Sequence, residues 1–359
     1  MSEYTARYWH VTENGRLQCD LCPRKCTLNN GQHGVCLVRR RMDDRMVLTS
    51  YGRISSACVD PIEKKPLFHF YPGTGILSIG TIGCNLTCKF CQNSGISRAS
   101  DPHLMHSKAK PEMIARAARE LDCKSIAFTY NDPVVFAEYA MDVAEACHAH
   151  DIRTVAVTAG YMCRDARRDF YNRMDAANVD LKAFTDDFYA KLSGAHLQPV
   201  LDTLTYLKHE TAVWLEITTL LIPGWNDSDA ELTAMTSWIA RELGPDVPLH
   251  FSAFRPTYKM TDVPPTPIAT LERARNIAQG AGLRYVYIGN LPHSGGATTF
   301  CPTCNFPLIA RNGHPITLYK LTATGSCPQC GTTIPGHFDP TPGNFGGRPL
   351  PITFSTGNA

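Results

Sequence analysis

Residues 76–93 read ILSIGTIGCNLTCKFCQN, and this stretch indicates both a fold and a chemistry. The apolar run 76–80 predicts a buried β-strand, and Gly83 frees the backbone where the chain leaves it. The loop that follows carries Cys84, Cys88 and Cys91. Three thiolates can cover one face of a four-iron cluster, which needs four ligands, so one iron would stay open to a ligand from outside the chain. A zinc knuckle without its fourth ligand, or three buried cysteines, fits the spacing less well.

Outward from this loop, short apolar runs alternate with helical stretches between about residues 75 and 289. Further strands are predicted at 125–130, 153–158, 178–182, 213–218, 247–251 and 284–288, and helices at 111–121 and 134–150, among others. This alternation is typical of an α/β fold with parallel strands joined by right-handed crossovers. The interval is shorter than the roughly 250 residues of a full eight-unit barrel. It therefore predicts a partial (β/α)6-type barrel of six or seven units, with an open doubly wound sheet as the alternative. Either fold places chemistry at the carboxyl ends of the strands.

The chain has 359 residues, of which 43% are hydrophobic and 19% charged, with a formal net charge of +2. This length and composition predict one large domain with small appendages. The expected divisions are a cysteine-rich module and lead-in at 1–74, the partial barrel at 75–295, a zinc-ribbon or rubredoxin-like module at 296–337, and a Pro/Gly-rich tail at 338–359. The near-neutral charge gives no argument for nucleic acid as a partner. No export signal or membrane span is recognisable, so we expect a soluble, cytoplasmic protein.

Fifteen cysteines in a reducing compartment suggest metal ligands, and eleven of them fall into three groups. Outside the loop, these are Cys19, Cys22, Cys26 and Cys36, then Cys301, Cys304, Cys327 and Cys330. The last four form two Cys-x2-Cys knuckles, which favours zinc. The first four also suit zinc, but thiolates equally hold an auxiliary iron–sulfur cluster, and the sequence leaves both open.

The spacing Cys-x3-Cys-x2-Cys, with Phe90 just before the third cysteine, resembles the signature of the radical S-adenosylmethionine (SAM) superfamily. The resemblance implies that Cys84, Cys88 and Cys91 ligate a 4Fe-4S cluster whose open iron binds SAM through its amino and carboxylate groups. It also implies reductive cleavage of SAM to a 5'-deoxyadenosyl radical, which abstracts hydrogen from a substrate. The electron would come from a donor such as flavodoxin or ferredoxin.

Residues at other strand ends resemble cofactor contacts of pyruvate formate-lyase activating enzymes. Thr129-Tyr-Asn-Asp-Pro133 occupies the place of Ser-Gly-Gly-Glu-Pro, so Asp132 would stand in for the glutamate that grips the amino group. Asn-Asp-Pro is also a common helix-cap sequence, and a buried, satisfied histidine is the alternative for His250. The cofactor contacts that the resemblance implies are Phe90, Thr129, Asn131, Asp132, Thr158, Asp180, Lys182 and His250.

Four longer stretches, together with both terminal cysteine groups, resemble one branch of the superfamily. They are residues 60–72, 177–184, 221–227 and 287–290. The chain is similar over nearly its whole length to the radical SAM enzymes of the AmmeMemoRadiSam system. That resemblance implies AMMECR-family and MEMO-family proteins as partners, and it implies no substrate.

Three functions therefore remain open from the sequence. The first is an enzyme that forms a radical on a small molecule or peptide. The second is an activase that installs a glycyl radical in a partner protein. The third is a non-catalytic protein in which zinc ribbons bind a partner and the central cluster carries electrons. Lys64, Lys65 and His69 could contact a substrate or partner, although a solvated loop is slightly favoured for them.

Overall fold

A computed structural model describes residues 4–99, 101–105, 107–291 and 295–354. Its strands are β1 (Tyr4–Thr5), β2 (Trp9–Val11), β3 (Leu17–Cys19), β4 (Thr27–Leu28), β5 (Arg39–Met42), β6 (Arg45–Leu48), β7 (Arg53–Ile54), β8 (Ser56–Pro61), β9 (Gly75–Gly80), β10 (Ser107–Lys108), β11 (Ser125–Phe128), β12 (Arg153–Thr158), β13 (Ala176–Asp180), β14 (Trp214–Leu221), β15 (Leu249–Ala253), β16 (Val286–Gly289), β17 (Thr299–Phe300), β18 (Pro307–Arg311), β19 (Ile316–Tyr319) and β20 (Leu350–Pro351).

The α-helices are α1 (Ser94–Ser97), α2 (Pro111–Glu120), α3 (Ala137–His148), α4 (Arg164–Tyr171), α5 (Asp186–Phe188), α6 (Gln198–Glu210), α7 (Asp229–Trp238) and α8 (Ile268–Gly280). Short 3₁₀ segments lie at Ile62–Lys64, Pro102–Leu104 and Pro133–Phe136, and π-helical turns at Tyr189–Ser193 and Ile239–Leu243. None of the helices in the described ranges has the length and apolar character needed to cross a lipid bilayer.

The central sheet contains seven parallel strands, β9 and β11 to β16, which lie side by side in chain order. Their residues are nearly all buried, as expected for strands covered on both faces. An open doubly wound sheet reverses its strand order at a switch point, and this sheet has no such reversal within the described residues. Because the seven strands are parallel, their carboxyl ends all lie at the same end of the sheet.

Two further strands extend the sheet beside β9, and each runs antiparallel to its neighbour. β8 pairs with β9, with Ser56 opposite Gly80, and β20 from the tail pairs with β8. The strand at Ser56–Pro61, within the module and lead-in expected at 1–74, therefore belongs to the central sheet. The tail likewise adds a strand to this sheet.

Strand ends differ from the predicted ones for local reasons. β11 stops at Phe128 instead of residue 130, because Tyr130 takes a positive φ of 70°. β13 stops at Asp180 rather than 182, where the Leu181 amide bonds back to the Val179 carbonyl. β14 continues past residue 218 to Leu221, because Thr219, Leu220 and Leu221 pair in register with residues 251–253 of β15.

The segment 62–74 lies against the central sheet and joins it to the C-terminal module. Glu216 of β14 accepts hydrogen bonds from the Phe68 and His69 amides at 3.0 and 2.8 Å. On the other side, Arg311 of β18 donates to the Phe68 carbonyl at 2.7 Å, and its guanidinium lies over the Phe68 ring. In the following subsections, the segment 62–74 is called the floor.

Candidate functional site

The cysteine loop leaves the carboxyl end of β9 and is fixed on several sides by backbone hydrogen bonds. The Thr87 and Lys89 amides donate to the carbonyls of Ser193 and Leu192 at 2.8 and 2.9 Å. Lys89 in turn accepts from the Lys259 amide at 3.0 Å. The path of the loop is therefore set by chain segments that follow β13 and β15.

One cavity of about 270 Å³ opens at this end of the sheet and collects residues from six strand ends. The three loop cysteines all line it. The other cavity residues relevant here are Phe90, Thr129, Asn131, Asp132, Thr158, Asp180, Lys182, Thr218 and Ser252. Seven of the eight expected cofactor contacts are thus brought together with the three cysteines, and His250 is the exception. Contact of six strand ends with a single cavity indicates that the sheet is curved around it.

The loop cysteines line a cavity much larger than a single metal ion. The compact set of four metal-binding atoms in the described part of the chain is the C-terminal quartet instead. Burial raises the pKa of the Cys84 and Cys88 thiols, with Asp132 adding to the effect at Cys84 and Lys182 opposing it at Cys88. Bound metal is what would hold such buried sulfurs as thiolates.

Lys182 provides a positive charge beside the loop. Its ammonium lies 2.9 Å from the Asp180 carboxylate and over the Phe90 ring at 5.9 Å. Burial opposes this charge, but the Asp180 carboxylate and the Cys88 thiolate outweigh burial and raise the pKa of Lys182. Asp180 remains partly exposed at the cavity, so it can accept a hydrogen bond from a ligand there.

Asn131 holds the backbone from which the cysteine loop starts. Its side-chain oxygen accepts from the Thr81 amide at 2.9 Å. Its side-chain nitrogen donates to the Thr81 hydroxyl and to the carbonyls of Ile82 and Gly83 at 2.9 to 3.1 Å. With four hydrogen bonds to one short stretch, Asn131 acts as a positioning residue for the loop.

Asp132 caps the 3₁₀ segment at Pro133–Phe136 and also holds the end of β12. Its carboxylate accepts from the Val134 amide at 3.1 Å, the Thr158 hydroxyl at 2.8 Å and the Ala159 amide at 2.9 Å. Burial raises the pKa of this carboxyl group, while these donors oppose the rise. Asp132 is therefore a helix cap, as one of the two interpretations of Asn-Asp-Pro expected, and it also lines the cavity.

His250 lies in the second position of β15 and is not one of the residues that line the cavity. Its Nε2 contacts the Glu216 carboxylate at 2.6 Å, and its ring packs on Phe68 and Tyr287 at 4.7 and 5.1 Å. This arrangement matches the buried, satisfied histidine that the sequence left as an alternative.

Thr218 and Ser252 are among the cavity residues that were not identified from the sequence. Thr218 of β14 lies beside Asp180 in register, and its hydroxyl is buried without a hydrogen-bond partner among the residues that the structure describes. Ser252 of β15 lies opposite Leu220, near the same opening. An unpaired buried hydroxyl on a cavity wall is a natural contact for a polar cofactor. The sequence signal that could have identified them is the presence of polar residues near the ends of predicted strands.

The C-terminal cysteines form a compact quartet. Cys301 and Cys330 sulfurs are 3.5 Å apart, those of Cys304 and Cys327 are 3.6 Å apart, and all four lie within 4.8 Å. Sulfurs on one tetrahedral zinc ion, each about 2.3 Å from it, have similar separations. The antiparallel sheet β17-β18-β19 carries the first of the two knuckles.

The N-terminal cysteines surround a small enclosed cavity of about 20 Å³ next to the loop. Cys19, Cys22 and Cys36 are buried, and Cys26 is half-buried. A side chain on Gly83 would meet the Cys36 carbonyl oxygen at 2.0 Å, so the two cysteine groups are in direct backbone contact.

The basic residues of the floor do not form a solvated loop, contrary to the preferred expectation. Lys65 is buried and contacts the buried Asp60 carboxylate at 2.6 Å, while the half-exposed Lys64 contacts it at 2.8 Å. His69 is fully buried and bonded to Pro335 and Tyr287. These residues connect parts of the fold, and they lie outside the cavity wall.

Comparison with known proteins adds the family. The model of the radical SAM superfamily matches residues 78–235. A protein of Methanocaldococcus jannaschii described as uncharacterized is 38% identical over 330 residues, which cover 92% of this chain and 98% of that protein.

Among solved structures, a radical SAM methyltransferase from Sphaerobacter thermophilus is similar over 61% of this chain and 67% of its own, at 18% identity and a TM-score of 0.48. A domain of a pyruvate-formate lyase-activating enzyme from Bacteroides vulgatus is similar over 46% and 98%, at 14% identity and a TM-score of 0.41. The matched model, which contains the cysteine loop, shows that residues 78–235 of this chain form a radical SAM superfamily domain.

Proposed function

We propose that this protein is a radical SAM enzyme that abstracts hydrogen from a small molecule or peptide bound at the mouth of the cavity. The observation that carries the proposal is the convergence of Cys84, Cys88 and Cys91 with residues from five further strand ends around one cavity. Superfamily membership implies a 4Fe-4S cluster on the three cysteines and reductive cleavage of SAM. The curved sheet is best interpreted as a partial barrel with seven parallel strands.

The chain's own residues suit the binding of SAM in different ways. Lys182 places a positive charge where a carboxylate would be attracted, and Asp180 offers an acceptor for ribose hydroxyls. The free Thr218 hydroxyl supplies a further donor or acceptor. Asn131 and Asp132 position backbone around the cavity instead, since their polar atoms are occupied by protein partners.

The test is cofactor cleavage by anaerobically reconstituted full-length protein with dithionite as the reductant. Wild type should release 5'-deoxyadenosine and methionine from SAM. Cys88→Ala should abolish that release and lose the loop cluster, because two cysteines cannot replace three ligands, yet it should keep the metal of the C-terminal quartet. Cys147→Ala is the matched control, since Cys147 is buried in α3 away from the cavity. Absence of 5'-deoxyadenosine from the wild type, with the cluster fully loaded, would favour an electron carrier and refute the proposal.

The glycyl-radical activase is distinguished by the fate of hydrogen. If the chain activated a partner protein, deuterium from a backbone glycine of that partner would appear in 5'-deoxyadenosine. Deuterium transferred from a small molecule or a peptide side chain would support the proposed function.

We also propose that the protein works with AMMECR-family and MEMO-family proteins and that zinc occupies the C-terminal quartet. The partner proposal rests on the four stretches that resemble the AmmeMemoRadiSam enzymes. Several of their residues are buried contacts of the fold, such as Asp60 and Tyr287, so these residues do not mark the partner surface. Anaerobic co-purification with the two partner families tests the first part, and zinc analysis of Cys304→Ser tests the second.

A further inference from the structure

The turn that follows β11 has an unusual backbone for the residue at its centre. Tyr130 has a φ of 70°, and across it the Asn131 amide donates to the Thr129 carbonyl at 3.0 Å. This hydrogen bond, with a positive φ between its two residues, defines the strained form of the γ-turn. Glycine adopts a positive φ without steric cost, whereas tyrosine does not. A strained residue of this kind at a cavity suggests that its side chain has a task there.

The side chain of Tyr130 is held by a buried charged pair. Its hydroxyl donates to the Asp60 carboxylate at 2.9 Å, and the Lys65 ammonium lies 4.9 Å from the centre of its ring. Asp60 and Lys65 are both buried and 2.6 Å apart, and they are not among the residues that line the cavity. A hydrogen bond to an ionised acceptor is stronger than one between neutral groups. The pair therefore anchors the Tyr130 ring from outside the cavity.

The turn that this ring belongs to forms part of the cavity wall. Four consecutive residues of the turn line the cavity, namely Thr129, Tyr130, Asn131 and Asp132. Directly after the strained position, Asn131 bonds to the start of the cysteine loop and Asp132 bonds to the end of β12. The Tyr130 carbonyl accepts from the Asn93 side chain at 2.8 Å, two residues after Cys91. A shift of this turn would consequently displace the wall beside both the cysteine loop and β12.

We propose that Tyr130 is a positioning residue for SAM and that Asp60 and Lys65 act through it. The anchored ring keeps the strained turn in the conformation in which Asn131 and Asp132 reach the cysteine loop and β12. This inference rests on the proposed function, because it takes SAM as the ligand of the cavity. It also gives a role to two residues of the stretch 60–72 that lie outside the cavity wall.

The test is the affinity for SAM of full-length, anaerobically reconstituted variants, measured by equilibrium dialysis with radiolabelled SAM. Tyr130→Phe keeps the ring and loses only the hydroxyl, so its iron and sulfide content should equal that of the wild type. Its dissociation constant for SAM should rise about tenfold, since a hydrogen bond to a charged group is lost. Tyr51→Phe is the matched control, because the Tyr51 hydroxyl donates to the Asp142 carboxylate at 2.5 Å and neither residue lines the cavity. That variant should bind SAM as the wild type does.

Tyr130→Gly separates the side chain from the backbone conformation. Glycine adopts the positive φ without strain, so folding of this variant is not limited by the turn. It lacks the anchor to Asp60, and its affinity for SAM should fall at least as far as that of Tyr130→Phe.

Wild-type affinity for SAM in either Tyr130 variant would overturn the proposal, even if the unfolding temperature were lower. Loss of iron from Tyr130→Phe would also overturn it, because weak binding would then follow from the missing cluster. A wild-type protein that binds SAM on a loaded cluster but releases no 5'-deoxyadenosine would refute the proposed function alone. A wild type that binds no SAM would refute both.

Discussion

At the scale of single residues, Asn131 is the side chain on which the start of the cysteine loop depends most directly. It is buried, and its amide nitrogen donates to three oxygens of residues 81–83. In Asn131→Asp the isosteric carboxyl group would face those oxygens without a donor, at a cost of about 2 to 4 kcal/mol. We expect the loop to lose its cluster more readily than the fold loses stability. Iron and sulfide content after anaerobic gel filtration, alongside thermal unfolding, measures both effects.

The matched control is Asn172→Asp, an exposed position at the end of α4. It makes the same chemical change where water can solvate the carboxylate, so the cluster content should match that of the wild type. The unfolding temperature should fall only slightly, because the new charge is repelled by the C-terminal end of α4. Wild-type iron content in Asn131→Asp would mean that the loop does not need these hydrogen bonds.

Residue roles were only partly accessible from the sequence. The cavity contains the three cysteines, Lys182 and Asp180 because the ends of parallel strands meet, which the strand pattern already implied. The partners of a polar side chain depend on which segments pack against it. His250 belongs with Glu216 and the floor for that reason, and the free hydroxyl of Thr218 could be identified only from the structure.

At the scale of elements, the turn between β9 and the cysteine loop is constrained from two sides. Gly83 has a φ of 82°, and a Cβ there would meet the Cys36 carbonyl oxygen at 2.0 Å. Gly83→Ala should therefore force the loop and the N-terminal cysteines apart, with loss of iron from the loop triad and of any metal that the N-terminal cysteines hold. Iron, sulfide and SAM cleavage in the reconstituted variant check this expectation.

Gly15→Ala is the control for backbone strain. Gly15 has a similar φ of 72°, but a Cβ there would have nothing within 4 Å. Both variants carry the cost of a left-handed residue, about 1 to 2 kcal/mol, and only Gly83→Ala adds the collision. Equal iron content in the two variants would show that the collision is relieved at no cost to the metal sites.

The floor predicts a pH dependence of stability. His69 Nδ1 lies 2.7 Å from the Pro335 carbonyl oxygen and Nε2 lies 2.6 Å from the Tyr287 hydroxyl, which suits a neutral ring that donates to one and accepts from the other. Burial lowers the pKa of His69 to about 4. The unfolded chain has a normal histidine pKa of about 6.5, so between these values the unfolded state binds the extra proton. The free energy of unfolding should therefore fall as the pH decreases from about 6.5 towards 4.

Urea unfolding of the anaerobic protein at pH 7.5, 6.5 and 5.5 measures the slope of the free energy of unfolding against pH. His69→Phe should be less stable at pH 7.5, because it loses both hydrogen bonds, but its stability should decline less between pH 6.5 and 5.5. His103→Gln changes an exposed histidine and should keep the wild-type slope. A slope in His69→Phe as steep as in the wild type would assign the pH dependence to other groups.

The sequence pattern predicted the floor less well than it predicted the central sheet. Periodicity identifies segments that are buried on two faces, and the central strands have that property. The floor has no regular period, since its order comes from individual side chains such as Arg311 and Glu216 that reach it from distant parts of the chain. The two lysines and the histidine consequently looked like a solvated loop.

At the scale of the whole molecule, two charged contacts of different character connect the C-terminal part of the chain to the rest of the protein. Arg311 is buried, bonded to the Phe68 carbonyl and 3.6 Å from the buried Glu63 carboxylate. Lys124 pairs with Asp339 of the tail, and both side chains are about one third exposed. Removing one partner of a buried charged contact is far more costly than removing a solvated one, because the remaining group stays desolvated.

We therefore expect Arg311→Leu to lower the free energy of unfolding by about 3 to 5 kcal/mol and Lys124→Ala by about 1 kcal/mol or less. The metal content of the C-terminal quartet and SAM cleavage at low temperature should persist in Lys124→Ala. In Arg311→Leu the quartet should keep its metal, since its ligands lie outside the contact, while limited proteolysis should cut between the central sheet and the module. Equal unfolding midpoints for the two variants would mean that Arg311 is solvated in solution and that the module is attached chiefly through its apolar contacts with Tyr285 and Tyr287.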